Sequence, residues 1–468
     1  MKKYLFLGLF FVLLLSVSAQ NITGTWNGTL KTHGIELRLV FHIDKSDGVY
    51  TGTLDSPDQG TKGIPVSSVT FENDSIKLDI KTIYGKYSGK VISENKITGN
   101  FSQMGVTIPL DLIKGIVEEK KLARPQEPKP PFPYYSEEVK FLNKKDGNTL
   151  AGTLTLPSKQ GKFPVVILIS GSGPQNRDEE LMGHKPFLVI ADYLTRNGIG
   201  VLRYDDRGTA QSTGDFKTAT TFDFSKDAEA AINFLLTRDE VDKKKIGLMG
   251  HSEGGIIAPM VAARNKNVGF IVLLAGTGVR GDKLLLMQSE AISRASGVSE
   301  ERLKEVNLQN KEAYRIVMQE KDASKLKIEL EEYLTKCYKE QSGSSQKMSS
   351  ELQEQLIKAY SQQFTSPWMR YFIQYDPVPA LKKVKCPVLA LNGSADTQVP
   401  AKENLSAIKK ALETGGNKRF KTVELPGLNH LFQECKTGSP AEYTQIEQTF
   451  SPKVLDEILK WIKSITCK

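Results

Sequence analysis

Lys245-Ile246-Gly247-Leu248-Met249-Gly250-His251-Ser252-Glu253-Gly254-Gly255, followed by Ile256-Ile257-Ala258, reads as a buried strand, a sharp turn and a helix. A serine with glycines two residues before and after it, set between strand and helix, suits a nucleophile elbow. In that turn the strained backbone lifts a hydroxyl clear of a sheet. The glycines are mechanical: without Cβ atoms, neighbouring backbone can pass close to the turn. Taken alone, G-x-S-x-G is also an ordinary Gly-rich turn, so the rest of the chain has to decide.

In such an elbow the acid follows the serine along the chain and the histidine comes last. The histidines are His33, His42, His184, His251 and His430, and beyond the elbow only His430 follows Ser252. It ends Val423-Glu424-Leu425-Pro426-Gly427-Leu428-Asn429-His430, a strand running into a loop. Five aspartates follow the serine: Asp282, Asp322, Asp376, Asp396 and Asp456. Asp282, Asp322 and Asp456 fall in helix or helix-entry contexts, and Asp376 precedes a proline. Asp396 follows the apolar run Pro387-Val388-Leu389-Ala390-Leu391 and the turn Asn392-Gly393-Ser394-Ala395. That puts it at the carboxyl edge of a buried parallel strand, where such sheets assemble catalytic groups. There it would orient the imidazole and stabilise its charged form; the plainer reading is a turn aspartate.

An oxyanion hole needs two N–H donors. One is expected from Glu253, directly after the nucleophile. The other is expected from Ser170-Gly171-Ser172-Gly173-Pro174, which follows the strand Pro164–Ile169. Ser172 is the choice, with Gly171 and Gly173 as the neighbouring candidates and a plain Gly-rich loop as the alternative.

Gly171 to Glu179, Arg203-Tyr204-Asp205-Asp206-Arg207-Gly208, Gly250 to Gly255, Gly393 to Asp396 and Gly427 to His430 occur in that order. Together they resemble a secreted carboxylesterase branch of the α/β-hydrolases, related to the monoglyceride-lipase and serine-aminopeptidase group. The resemblance covers about residues 136–468 and implies an ester hydrolase fold and mechanism. The chain departs from the pattern at Ala210, where a glycine is usual, which puts the path of that loop in question.

Met1-Lys2-Lys3, the apolar Tyr4–Leu15 and Ser16-Val17-Ser18-Ala19 have the three parts of a secretory signal peptide, with cleavage expected after Ala19. The apolar core is short for a span, so a mature enzyme exported to the periplasm or medium is expected, without stable membrane insertion. The formal charge of +9 includes Lys2 and Lys3 and falls to +7 without them. Both signs are interspersed, with no basic stripe, which argues against nucleic-acid binding. Cys337, Cys386, Cys435 and Cys467 show no metal-ligand spacing. Cys386 reads as a buried thiol, and Cys435 with Cys467 is the pairing that export would permit.

Residues 20–115 alternate as strands do: Ile35, Leu37, Leu39, Phe41 and Ile43 on one face, then Ile76, Leu78 and Ile80. A small antiparallel β domain, lipocalin-like from its Gly24-Thr25-Trp26 opening, is expected, with Trp26 as a core plug. Residues 116–135 are a Pro-rich linker, an extended spacer by composition. From 136 to 468, strands alternate with helices, giving an α/β fold with a mainly parallel sheet. A Lys-, Glu- and Leu-rich insertion at about 281–370 is expected to form a helical cap. Its Trp368-Met369-Arg370-Tyr371-Phe372 cluster either lines an acyl pocket, with Trp368 and Phe372 binding substrate, or packs the cap onto the body.

The expected function is hydrolysis of small carboxylic esters of short to medium acyl chain through an acyl-enzyme. Ser252 attacks, His430 moves the proton, Asp396 holds His430, and the N–H groups of Glu253 and Ser172 bind the oxyanion. The reaction calls for no metal or organic cofactor. The first alternative is an exported peptidase using Arg177, Asp178, Glu179 and Glu180 on a peptide terminus; the plainer reading of those residues is an exposed charged loop. The second alternative is a non-catalytic surface or carbohydrate-binding protein.

Overall fold

The computed structural model describes residues 21–32, 35–59, 61–103, 106–115, 123–341 and 350–467. The leader expected at 1–19, His33, the first part of the linker and residues 342–349 of the cap lie outside them. The chain divides into two units, Met1–Glu119 and Lys120–Lys468.

The first unit holds ten strands, all paired antiparallel: β1 (Gly24–Thr32), β2 (Ile35–Ser46), β3 (Val49–Ser56), β4 (Thr61–Val66), β5 (Ser68–Glu72), β6 (Ser75–Ile80), β7 (Gly85–Ser93), β8 (Lys96–Gln103), β9 (Val106–Pro109) and β10 (Leu112–Lys114). The sheet runs β4-β3-β2-β1-β10-β8-β7-β6-β5, with β9 on β8. Its two ends, β4 and β5, are joined by Ser67 alone, so the sheet must curl back almost to closure. The period-2 pattern holds: Leu39, Phe41, Ile43, Ile76, Leu78 and Ile80 are buried inside. Trp26 is fully buried and its Nε1–H donates to Ile22 O at 2.7 Å, as a core plug should.

The second unit carries β11 (Tyr135–Leu142), β12 (Thr149–Leu156), β13 (Phe163–Ile169), β14 (Gly200–Tyr204), β15 (Val241–His251), β16 (Phe270–Leu274), β17 (Val388–Gly393) and β18 (Phe420–Leu425). Their order is β11-β12-β14-β13-β15-β16-β17-β18. β12 is antiparallel to both its neighbours, and β14 to β18 with β13 are mutually parallel. The central strands are continuous apolar runs because helices cover both faces. Those helices are α1 (Pro186–Arg196), α2 (Thr221–Leu236), α3 (Gly254–Ala262), then α4 (Gly281–Ala295), α5 (Glu300–Gln319), α6 (Ala323–Gln341), α7 (Ser350–Thr365), α8 (Pro367–Gln374), α9 (Val378–Lys383), and finally α10 (Ala401–Thr414) and α11 (Pro452–Thr466).

The cap expected at about 281–370 is helical, and its helices run on to Gln374. It has a core of its own, with Tyr314, Val317, Leu326, Leu330, Phe364, Met369 and Ile373 packed together. Ser366 and Pro367 start α8: the Ser366 hydroxyl accepts from Met369 N, and proline at the first helical position needs no partner.

From Arg124 the Pro-rich linker is anchored to the second unit. Arg124 Nε donates to Gly183 O at 3.0 Å, and Gln126 Oε1 accepts from Thr449 N at 2.7 Å and Phe450 N at 3.1 Å, strapping the proline run to the hydrolase unit. All four cysteines are free thiols, so Cys435 and Cys467 are not joined. Cys386 is mostly buried, and that burial pushes its thiol up to about 11.

Candidate active site

The elbow forms where β15 meets α3. Ser252 sits at φ 51°, in the left-handed region. A non-glycine residue there costs on the order of 1–3 kcal/mol and persists only where the surroundings over-determine it. Two contacts do so. Ser252 N donates to Leu274 O at 2.8 Å, and Gly255 N donates to Ser252 O at 2.9 Å. The glycines are required by backbone approach: a Cβ on Gly250 would lie 1.9 Å from Gly254 O, and one on Gly254 2.2 Å from Ile169 O. Ser252 remains partly exposed at the carboxyl edge of the sheet.

Asp396 and His430 arrive from the loops after β17 and β18. His430 Nδ1–H donates to Asp396 Oδ2 at 2.8 Å, with both side chains buried. Asp396 Oδ1 accepts from Gln398 N and Val399 N, each at 2.8 Å, which fixes the carboxylate plane. The two loops are zipped together by Ser394 N on Leu425 O at 2.9 Å and Ala395 N on Leu428 O at 3.0 Å. Asn429 braces the turn beyond, its Oδ1 accepting from Leu431 N and Gln433 N. Three loops thus bring a serine, an imidazole and a carboxylate to one sheet edge.

The loop after β13 has one of its candidate donors already engaged. Gly171 N donates to Glu179 Oε1 at 2.7 Å and is therefore occupied, whereas Ser172 is exposed. The carboxyl of Glu253 is buried. Its Oε1 accepts from Thr221 Oγ1 at 2.6 Å and from the Trp368 indole at 2.8 Å, and Ser172 donates to it as well. Burial pushes this carboxyl above its ordinary range, against the pull of those three donors. Glu253 therefore joins the elbow, α2, the loop after β13 and the cap. Trp368 is tied to the elbow through Glu253 and stacks on Phe372 with ring centroids 5.1 Å apart. Phe372 is buried with Ile256, Met260, Leu284 and Val399, where it packs cap against body, while Trp368 stays partly exposed.

Of the charged loop only Glu180 is the exposed surface residue expected. Arg177 pairs with Asp205 at 2.8 Å and with Glu138, and Arg203 pairs with Asp178. Glu179 is buried against His251, its Oε1 2.9 Å from His251 Nδ1. Asp206 is half-buried, accepting from Ser170 Oγ at 2.7 Å and Gln175 N at 3.0 Å. Burial pushes Asp206 well above the carboxylate range, and the nearby Glu253 and Glu179 add to the shift. In the sequence His251 reads only as part of the elbow; its one signal is a titratable ring directly before the candidate nucleophile. Ala210 adopts φ 47°, so a non-glycine residue holds the left-handed backbone that favours glycine.

Residues 146–423 match the family described as X-Pro dipeptidyl-peptidase (S15 family). The chain belongs to this family. The hydrolase is also 28% identical over 323 residues to Esterase EstD of Thermotoga maritima, a match covering 67% of this chain and 66% of that protein. It is 33% identical over 141 residues to Thiohydrolase apmlB of Arthrinium phaeospermum, covering 29% of this chain and 42% of the relative. Among solved structures, it is similar to the α/β hydrolase GrgF from Penicillium sp. sh18, at 16% identity and a TM-score of 0.44, covering 71% of this chain and 100% of that one. It is similar as well to the Pyrococcus furiosus esterase Pf2001, at 14% identity and a TM-score of 0.42, covering 71% and 93%. The strand order, the elbow after β15 and the family together make the second unit an α/β-hydrolase, carrying the antiparallel β unit ahead of it.

Proposed function

We propose that the hydrolase cleaves carboxylic esters of short to medium acyl chain through an acyl-enzyme. The observation that carries this reading is the buried His430–Asp396 hydrogen bond at 2.8 Å on the same sheet edge as a left-handed Ser252. Ser252 Oγ attacks the ester carbonyl while His430 Nε2 takes its proton, and Asp396 stabilises the resulting imidazolium. The N–H groups of Glu253 and Ser172 receive the developing oxyanion, commonly the largest electrostatic contribution. His430 then protonates the departing alcohol. Water, deprotonated by His430, attacks the acyl-Ser252 ester and releases the acid. Trp368 forms one wall for the acyl group, held by its bond to Glu253, with Phe372 backing it.

The similarity to an esterase over two thirds of the chain supports esters. The family description supports a second reading, a serine peptidase acting on amides. Against that reading, Arg177, Asp178 and Glu179 are engaged in internal pairs and are not free to grip a peptide terminus. An enzyme exported after cleavage near Ala19, acting on small-molecule esters without nucleic acid, is part of the proposal. Among the described residues no helix is long and apolar enough to cross a membrane.

The test is turnover of p-nitrophenyl esters of increasing acyl length beside aminoacyl and dipeptidyl anilides. Esters should dominate, with fluorophosphonate labelling at Ser252. Ser252→Ala should lose about 10⁶-fold in kcat, as removal of a triad nucleophile does elsewhere. Faster turnover of a dipeptidyl anilide than of any ester would replace the esterase reading by the peptidase one.

A further inference from the structure

His251 and Glu179 are 72 residues apart in the chain and meet beneath the catalytic groups. Glu179 Oε1 is shared: it accepts from Gly171 N at 2.7 Å and lies 2.9 Å from His251 Nδ1. The opposite ring nitrogen, His251 Nε2, is 3.0 Å from the backbone oxygen of His430. A carbonyl oxygen only accepts, so His251 Nε2 carries hydrogen. A carboxylate oxygen already receiving an N–H likewise accepts from Nδ1, so both ring nitrogens donate and the ring is an imidazolium. Burial opposes that charge, but Glu179, the His430 carbonyl and Asp396 outweigh it and hold His251 above its ordinary pKa.

We propose that Glu179 and His251 form a buried carboxylate–imidazolium pair that positions the oxyanion loop and the base-bearing loop on the nucleophile elbow; this rests on the ester-hydrolase reading above. Each end of the pair grips a different catalytic loop. Through Gly171 it holds the strand-end of the loop that presents Ser172. Through His430 O it holds the backbone of the proposed general base, whose ring lies 4.7 Å from that of His251 at an interplanar angle of 45°. Space at this junction is tight. A Cβ on Gly171 would lie 3.3 Å from Ser252 Cβ, 3.3 Å from Glu179 Oε1 and 3.5 Å from His251 Nδ1. Glu179 itself takes a left-handed φ of 51°, a conformation retained where both ends of a residue are fixed.

The charged and titratable groups facing the ring are Glu179 from the loop after β13, Asp396 from the loop after β17 and His430 from the loop after β18. Asp206, after β14, faces Glu179, and Glu253 on the elbow faces Asp206. The folded-state pKa of His251 is raised, so the pair is intact at and below the ordinary histidine range and is lost as pH rises through the folded value. Positioning by the pair therefore predicts a fall of activity on the alkaline side, separate from the acid-side rise that belongs to the general base.

A glutamine cannot replace Glu179: without the carboxylate the ring is neutral and keeps its hydrogen on Nε2 for His430 O, so Nδ1 needs a donor, and the atom that accepts from Gly171 N cannot also donate to Nδ1. The experiment compares full-length wild type, Glu179→Gln, Glu179→Asp, His251→Gln and the Glu179→Gln/His251→Gln double variant. It reads kcat and KM on p-nitrophenyl acetate from about pH 5.5 to 9.5, with melting curves as a control for folding. A displacement of about 1 Å at a reacting group is worth about 100-fold in rate. Glu179→Gln should therefore lose about 30–100-fold in kcat at pH 7 with KM nearly unchanged, and should lack the alkaline limb. Glu179→Asp, which keeps the charge, should recover part of both. The double variant should be no slower than the worse single variant, since the two residues act as one unit.

Folded variants that keep the wild-type kcat and alkaline limb, or losses that multiply in the double variant, would overturn the proposal. Where a variant does not fold, the wild-type profile decides, and absence of an alkaline limb overturns it. A wild type that turns over no ester and takes no label at Ser252 defeats the esterase reading instead; an active wild type with unaffected variants defeats the positioning proposal alone.

Discussion

Asp396→Asn isolates the orienting carboxylate. Asp396 Oδ1 accepts two backbone N–H groups, from Gln398 and Val399, and Oδ2 accepts His430 Nδ1–H. An asparagine has one oxygen to offer. Turning its NH2 toward the two backbone donors would leave both unpaired in a buried site, at about 1–3 kcal/mol each. The oxygen therefore stays on the backbone side and the NH2 faces His430 Nδ1. That donor forces the ring into the tautomer with hydrogen on Nε2, which cannot accept the Ser252 proton. The wrong tautomer costs about 10⁴ in kcat in the serine-protease precedent, equivalent to about 5.5 kcal/mol of transition-state stabilisation. Because both backbone bonds survive, the melting temperature should change little. The assay is kcat on p-nitrophenyl acetate at pH 8 beside a melting curve. The variant should remain faster than Ser252→Ala by about 100-fold. Retention of more than a tenth of wild-type activity would refute the assignment and move the acid role to another carboxylate such as Glu403.

Trp368→Ala should alter preference between acetyl and longer acyl esters by tenfold or more, since a lost apolar contact is worth about 1–3 kcal/mol; identical chain-length profiles would make the ring a cap-packing residue only. Ala210→Gly should raise Tm by about 1–2 °C, because relief of a left-handed alanine exceeds the entropy that glycine adds to the unfolded chain; a lower Tm would contradict the backbone assignment. His184 is fully buried, with Nε2 2.8 Å from Tyr443 O, and burial lowers its pKa to about 4. A histidine kept neutral in the fold costs stability as pH falls from its unfolded value near 6.5 to about 4, roughly 3 kcal/mol in all. Urea titrations at pH 7 and 4.5 should show this loss in wild type and a smaller one in His184→Gln.

The local elements were legible because each is decided within a few residues. Strand–elbow–helix follows from an apolar run, a Gly-x-Ser-x-Gly turn and a second apolar run, and all eight strands of the hydrolase sheet lie on short apolar or alternating segments. The candidates Ser252, Asp396 and His430 were legible because after a nucleophile elbow the acid follows the serine and the histidine comes last, and beyond the elbow only His430 remains. Alternation likewise exposed the β unit, and Trp26 behaved as a core plug for the same reason.

What only the tertiary structure decided are the contacts between polar residues far apart in sequence, since period and propensity say which face a residue occupies but not which distant group meets it. Arg177 to Glu180 read as a solvated charge run, yet Glu179 is drawn inward by a histidine 72 residues away. Trp368 offered a choice between pocket and packing, and its indole proved to be bonded to the carboxyl of Glu253, 115 residues earlier. Buried charges survive only when partnered, and the partner is supplied by the fold as a whole; sequence determined the scaffold and the candidate nucleophile, acid and base, and packing determined what holds them in place.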